Sequence, residues 1–335
     1  MDMQFLKNRL TVTTDYYWNH IYDGLTTLSA STPATVGNTV PPENYAIANN
    51  FGYELTIGWR DRINSNWGYN VTAMYSWSDN KNIREDLSQG LVGTIQDHKG
   101  KSDDLGVFGY QSLGLIRTQA DADAIIASRA AAAGGASNVK IFGQTPQPGM
   151  INYADLNGDG VITQDAQDEK YLSHKSSNHN GLGLNLGFTY KSLSFNMVTG
   201  MSWGGQGQIS GSDINGFNGA KDYTENKPVF WADHWTPATP NAKYPAPYWT
   251  TNYGVTSNFW FVSSFSANIQ NANLSYTLPN KWSKVVGLAN ARFYAVCTNV
   301  LSLYNPYPDG YKYGSASVYT YPTLRTISVG LNAGF

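Results

Sequence analysis

The chain is 335 residues long, with a formal net charge of −2, 14% charged residues, 14% aromatic residues and a mean hydropathy of −0.37. Soluble domains usually carry roughly 25% charged side chains, and a membrane-crossing helix needs about 20 consecutive apolar residues; the sequence offers neither, which excludes a Glu- and Lys-rich soluble enzyme and a helical membrane protein. The near-neutral charge gives no reason to expect nucleic acid as a partner, and the single cysteine, Cys297, excludes an internal disulfide.

Met1 to Gln4 carry neither the charged start nor the apolar core of a signal peptide, so an exported form of this chain is expected to begin elsewhere. Met1 to Leu6 read as the end of a descending strand that turns at Lys7-Asn8. Residues 9–22 follow as a full strand, and 23–48 as a long connection. Over 49–61 the alternation is strict: Phe51, Tyr53, Leu55, Ile57 and Trp59 share one face, and Gly52, Glu54, Thr56, Gly58 and Arg60 the other. A short turn at 62–65 leads to 66–79, where Trp67, Tyr69, Val71, Ala73, Tyr75 and Trp77 repeat the pattern.

Residues 80–180 form a very long excursion. Leu105 to Arg117 are strand-like but have mixed faces, and are predicted to form a local hairpin inside the excursion. Residues 121–133 are predicted to form a short helix ended by Gly134-Gly135, since glycine accepts the left-handed cap conformation. Strands at 181–190 and 193–204 meet at Lys191-Ser192. A long connection, 205–263, leads to 264–278, a moderate one, 279–289, to 290–302, and a long one, 303–322, to 323–335. In the last strand Ile327, Val329, Leu331, Ala333 and Phe335 oppose Thr326, Ser328, Gly330, Asn332 and Gly334. The environment of Cys297 is a strand, which makes it a buried or lipid-facing thiol.

These strands are about ten residues or longer, against five or six in ordinary sheets. Aromatics gather at the ends of the apolar faces, as in Tyr16 with Trp18, Trp59 with Trp67, and Tyr75 with Trp77. Strands that cross a bilayer need roughly 9–11 residues and carry aromatic girdles at both interfaces, with short periplasmic turns and long extracellular loops. Short and long joints alternate along the whole chain. The fold class is therefore all-β, an antiparallel transmembrane β-barrel in the outer membrane with its C-terminus in the periplasm; a soluble β-sandwich is the alternative that strand length and girdles disfavour. Eight crossings beside a cut strand leave open edges, which hydrocarbon does not tolerate, and an eight-strand lumen only holds side chains. Loops that make up more than half of the chain suit a larger barrel, of which this is the C-terminal part.

The sharpest local motif is Asp155-Leu156-Asn157-Gly158-Asp159-Gly160-Val161-Ile162-Thr163, which matches the first nine positions of a calcium loop. Asp155, Asn157 and Asp159 supply side-chain oxygens, Gly160 the sharp turn and Val161 a backbone carbonyl. The twelfth position is Ala166 where a carboxylate is required, so Asp165 or Asp168 has to substitute. Because Pro148-Gly149 replaces a preceding helix, a structural Ca²⁺ clip in an extracellular loop is one reading; a turn whose Asp and Asn side chains bond their own backbone is the other. The histidines, His20, His98, His174, His179 and His234, show no zinc spacing. No nucleophile elbow, phosphate loop or carboxylate pair stands out, so the expectation is a non-enzyme with no essential cofactor. The third long loop is rich in rings. Trp231, Trp235, Tyr248, Trp249 and Tyr253 are candidates to face a ligand or partner, or else to anchor the loop, as assigned to Trp260.

Several segments, taken in order, resemble one family. They are Phe5-Leu6-Lys7-Asn8-Arg9-Leu10, Asp15-Tyr16-Tyr17, Asn50-Phe51-Gly52-Tyr53, Phe108-Gly109-Tyr110, Pro148-Gly149-Met150, the Asp155 to Gly160 run, Trp235-Thr236-Pro237, Asn273-Leu274-Ser275-Tyr276, Asn299-Val300-Leu301 and Tyr321-Pro322-Thr323-Leu324-Arg325. Together they are similar to the C-terminal third of a SusC/RagA-type TonB-dependent outer-membrane transporter of Bacteroidota. The resemblance implies a barrel of about 22 strands around a plug that is absent here, a SusD-like surface lipoprotein as lid, and a TonB complex that engages the missing N-terminal part. It implies oligosaccharide cargo, sometimes peptide, and a terminal aromatic, Phe335, read by the barrel-assembly machinery. The family's calcium-like loop usually carries Asp at its twelfth position, and Ala166 departs from it. The expected role is thus a barrel segment of an importer of oligosaccharides or similar oligomers, embedded in outer-membrane lipid. A stand-alone structural or adhesion barrel and a secreted glycan-binding β-protein are the alternatives.

Overall fold

The computed structural model describes residues 1–94, 96–209, 214, 227–285, 287–308 and 323–335. In chain order the strands are β1 (Asp2–Phe5), β2 (Leu10–Thr27), β3 (Pro42–Arg62) and β4 (Trp67–Arg84), then the small β5 (Val107–Tyr110), β6 (Ser112–Leu115), β7 (Ile151–Tyr153) and β8 (Glu169–Ser173). They continue with β9 (Asn180–Tyr190), β10 (Leu193–Trp203), the two-residue β11 (Gly207–Gln208) and β12 (Phe261–Val262), and β13 (Ser266–Thr277), β14 (Asn290–Tyr304) and β15 (Thr326–Gly334). One nine-stranded sheet runs β1-β2-β3-β4-β9-β10-β13-β14-β15, every neighbour antiparallel. It is one curved wall of a β-barrel, and each segment expected to cross is a strand of it.

Register fixes which face is apolar. One row of paired residues reads Leu10, Trp59, Val71, Leu186, Met197, Ala272, Cys297 and Ile327 from β2 to β15. The row beside it reads Thr11, Gly58, Thr72, Asn185, Val198, Asn271, Thr298 and Thr326. A slip of one residue would exchange the two faces, so the alternation fixes which side of each strand faces out. The apolar row is half-buried to exposed, from half-buried Cys297 to Ile327 at 71%. Rings band this face at two levels. Near the turns Trp67 stacks on Tyr190 at 4.2 Å; near the long connections Tyr53 stacks on Trp77 at 5.5 Å. Trp67 and Trp77 open and close ten steps of β4. At roughly 3.3 Å per step and a tilt of about 40°, that is about 25 Å of height, the size of an outer-membrane apolar band.

The tight joints are built locally. Leu6, Lys7 and Asn8 all take positive φ, and Asn64 Oδ1 accepts the N–H groups of Asn66 and Trp67 at 2.9 and 3.1 Å to close the β3–β4 turn. At the far end the ladder outruns the apolar pattern. β2 and β3 pair as far as Thr27 with Pro42, so much of the connection expected at 23–48 is hairpin, with only 28–41 outside the ladder; β4 likewise continues past 79 to Arg84. Backbone pairing needs no apolar side chain, so alternation could not mark where it ends. Of the expected connections, 210–213 and 215–226 within 205–263, and 309–322 within 303–322, lie outside the described residues.

The excursions carry the buried core. Tyr110, Ile116, Ile141, Met150, Ile151, Tyr153 and Ile162 from the first pack with Trp231, Tyr244, Tyr253 and Trp260 from the second. Residues 105–117 do hold two strands, but not a local hairpin: β5 pairs with β8 and β6 with β7. Local pattern shows strand character and not the partner, and each edge here found a segment far along the chain. The helix α1 (Gln119–Arg129) begins earlier than expected. Thr118 forms a reciprocal capping box with Asp121, and Gly135 N–H closes the end on Ala130 O at 2.8 Å.

Candidate functional site

A cavity of about 990 Å³ opens where the excursions meet β11, β13 and β14. Carboxamides and hydroxyls dominate its lining, including Asn178, Gln206, Gln208, Asn268 and Gln270, and Arg325 is the one charged residue among those that line it. β-Bulges build this mouth. The β13–β14 register shifts between Ile269 and Asn271, and the β10–β13 register between Val198 and Thr199. Asn299, opposite the first shift, has φ 52 and donates its amide to Leu324 O at 2.8 Å. Bulges re-aim side chains, and here they turn amides toward the mouth. Asn268 Oδ1 is shut from solvent and has no hydrogen-bond partner among the described residues. Gly200 leaves room beside it, because a Cβ there would meet Gln270 Nε2 at 2.4 Å and Asn268 Oδ1 at 3.4 Å. An amide both donates and accepts, so the lining suits a neutral, hydroxyl- or amide-rich ligand. No sequence pattern announces this site, since its residues come from five separate segments.

A polar clasp ties both ends of the long excursion to the rim. Lys175 Nζ donates to Asp79 Oδ2 at 2.7 Å. His179 places Nδ1 2.6 Å from Ser78 O and Nε2 3.0 Å from Asp104 Oδ2. Burial opposes the Asp104 charge, but N–H groups of Ser176 and Ser177, the Ser176 hydroxyl and His179 outweigh it and hold its carboxyl well below the usual carboxylate range.

The rings proposed to face a ligand divide. Trp231, Trp235 and Tyr253 are buried, the last at 0% exposure, and so build the loop core rather than a surface. This corrects the ligand-facing assignment for these three. Flat rings on a two-excursion module bury most area by stacking against each other, and Trp231 lies 5.1 Å from Tyr253 and 5.7 Å from Trp260. Tyr253 is also held by its hydroxyl, which donates to Pro247 O at 2.8 Å. Trp249 is partly buried, its indole N–H on Pro148 O at 3.3 Å, and Tyr248 is 47% exposed beside it. Only this last pair presents rings outward.

In the Asp155 loop Asp168, and not Asp165, is the carboxylate that lies inside. Asp155 accepts from Gly158 N and Gly160 N at 2.7 and 2.8 Å, and Asp159 from Val161 N at 2.8 Å, as Asx turns do. Asn157 donates to Asp159 at 2.9 Å. Asp165 lies outside the loop, accepting from Thr163 and Gln167. Ala166 has φ 66, and this left-handed residue turns the chain so that Asp168 comes inside instead. Asp168 is 0% exposed; its Oδ1 accepts Leu156 N at 2.8 Å and its Oδ2 has no partner among the described residues. Burial pushes its carboxyl up, the N–H groups of Leu156 and Asn157 work against that, and the charges of Asp155 and Asp159 reinforce it. A buried, orphaned carboxylate oxygen beside two further carboxylates and a carboxamide is a donor set that fits a hard divalent cation. Phe335 is 98% exposed, just beyond β15.

No protein-family model and no curated protein matches the sequence. Solved structures do. The RagAB peptide transporter matches with a TM-score of 0.69 at 15% identity, over 100% of this chain and 34% of that one. The RagAB peptide importer in its closed-closed state gives 0.68 at 16% identity over 100% and 34%, and in its open-open state 0.67 at 15% over 98% and 33%. The chain spans about a third of the length of the structures it matches. What the likeness establishes is the fold: a partial antiparallel β-barrel of the kind built by these transporters.

Proposed function

We propose that this chain is wall and loop of an energy-coupled importer in the outer membrane, moving oligosaccharides or similar oligomers, peptides included, under a SusD-like lipoprotein lid and with energy from a TonB complex. The observation that carries the reading is the combination of an apolar outer row, a neutral inner row and an amide-lined cavity at the mouth between them. Such a cavity binds by many neutral hydrogen bonds, which matches sugar hydroxyls and peptide backbones alike; the RagAB proteins are peptide importers, so both classes enter the test. The long excursions lie on the outside and meet cargo and lid, with Tyr248 and Trp249 the rings that remain available there. Phe335 serves as the assembly signal.

The test is growth of a strain deleted for the gene on panels of oligosaccharides and of peptides as sole carbon source. The reading predicts lost growth on at least one oligomer with normal growth on its monomer, and restored growth on re-expression. Unchanged growth on both panels would remove the importer reading.

The Asp155 loop supports a structural Ca²⁺ held by Asp155, Asn157, Asp159, the Val161 carbonyl and Asp168. The bound ion would neutralise the carboxylates that burial now forces together and so fix the fold of the excursion.

A further inference from the structure

Beyond the cavity and the Asp155 loop, a second group of donor atoms converges where the first excursion leaves the wall. β4 ends at Arg84, and the chain then doubles back. Gly100 N donates to Asn82 O at 2.6 Å and Asn82 N to Lys101 O at 2.8 Å. This return brings Glu85, His98 and Asp103 together, with one ligand atom of each within 4.8 Å of the others. They come from the strand's end, the returning strap and the segment after it, so no spacing in the sequence announces them.

Their present partners do not explain the arrangement. His98 Nδ1 lies 3.7 Å from Glu85 Oε2, too far for a hydrogen bond. Glu85 Oε1 is shut from solvent and has no hydrogen-bond partner among the described residues. Asp103, by contrast, is held in place: the side-chain amides of Asn80 and Asn82 donate to its two oxygens, and Asn80 Oδ1 accepts its N–H at 2.8 Å. Hydrogen-bonded carboxylates of this kind orient metal ligands. A ring nitrogen and two carboxylates thus lie within 4.8 Å of one another, and one Glu85 oxygen is shut from solvent and unpaired among the described residues.

We propose that Glu85, His98 and Asp103 bind a borderline divalent transition metal of the Zn²⁺ type. Imidazole with carboxylates suits Zn²⁺, which takes three protein ligands and leaves a fourth position to water. Ca²⁺ prefers oxygens alone, so this site and the Asp155 loop select different ions. The metal staples residues 85–103 to the top of β4, at the foot of the excursion that carries the loop core. Asn80 and Asn82 are positioning residues that set the Asp103 carboxylate.

The experiment is calorimetric titration of the full chain in detergent with zinc chloride, after chelation and in saturating calcium chloride so that the Asp155 loop is occupied. The wild type is expected to take up one equivalent that His98→Gln and Glu85→Gln each weaken at least about tenfold, as loss of a ligand does when loss of a supporting group alone costs 10–100-fold. His174→Gln should leave it unchanged. Hydrogen exchange of residues 85–103 should slow with zinc in the wild type and not in His98→Gln, whose fold is checked by its unaltered exchange in β9 and β10. No saturable uptake, or uptake that His98→Gln and Glu85→Gln leave intact, overturns the site.

Discussion

His179 Nε2 stands 3.0 Å from Asp104 Oδ2, joining residues 75 positions apart. The other ring nitrogen faces Ser78 O at 2.6 Å, so the ring bridges the excursion to the end of β4. With the Lys175–Asp79 pair at 2.7 Å, this closes the base of the long excursion: both ends are fastened to one rim position.

The first prediction concerns acid. Asp104 is held below the usual carboxylate range in the fold, so it contributes stability that is complete above its unfolded value near about 4 and is lost as pH falls below that. Protection of the amides across 104–110 and 173–179, measured against the intrinsic exchange rate at each pH, should therefore be high at neutral pH and fall as the solution is taken below about pH 4. Asp104→Asn should show the low protection already at neutral pH, with the barrel strands unchanged. Equal exchange in variant and wild type would mean that the clasp carries no stability.

The second prediction has opposite signs in two buffers. Asp168 is a buried charge next to Asp155 and Asp159. Without calcium, Asp168→Asn should leave the excursion as stable as the wild type or more so, because the repelled charge is gone while Oδ1 still accepts Leu156 N. With calcium at about a hundred times its dissociation constant, the wild type should gain about 2.7 kcal/mol and the variant much less. Thermal unfolding with and without calcium reads both. A wild type indifferent to calcium would leave the self-capped turn as the correct description.

A third contrast separates core rings from surface rings. Tyr253→Ala empties a fully buried position and should cost about 3–5 kcal/mol of loop stability. Tyr248→Ala removes a ring that is 47% exposed and should stay within about 0.5 kcal/mol. Protease resistance of the excursions in the two variants is the measurement; similar losses would place Tyr248 in the core as well.

Gly106 supplies the fourth. Its φ is 87, and a Cβ there would lie 2.0 Å from Ser173 O. Gly106→Ala should open the β5–β8 pairing at a cost of about 1–3 kcal/mol, from the left-handed backbone and the clash together. Unaltered exchange at Phe108 and Tyr110 would show that the backbone yields there without cost.

The wall was legible in the sequence because a two-sided sheet writes its two faces as alternation. The faces of 51–59, 67–77, 182–190 and 327–335 follow from that period alone, while the register between strands does not. The module outside was not, for a physical reason: β5 finds β8 and β6 finds β7 across stretches that no local pattern joins. An aromatic-rich loop likewise reads the same whether its rings face a ligand or each other, and Trp231, Trp235 and Tyr253 turned inward. The calcium-type loop showed its first nine positions, while the carboxylate that enters it, Asp168, depends on the left-handed turn at Ala166, which an alanine does not announce. The amides of the mouth and the Glu85–His98–Asp103 group are assembled by bulges and chain reversal, so their spacing carries no signature.

The central claim is that the wall crosses an outer membrane with its long excursions outside and its tight turns within. Two single-cysteine proteins, Gln89→Cys and Ser65→Cys, each in a Cys297→Ala background, would be expressed in intact cells and exposed to a membrane-impermeant maleimide. The account predicts labelling at position 89 in intact cells, and at position 65 only after the outer membrane is opened. Labelling at 65 but not at 89 in intact cells would reverse the orientation, and equal labelling of both before any opening would contradict the membrane-spanning wall itself.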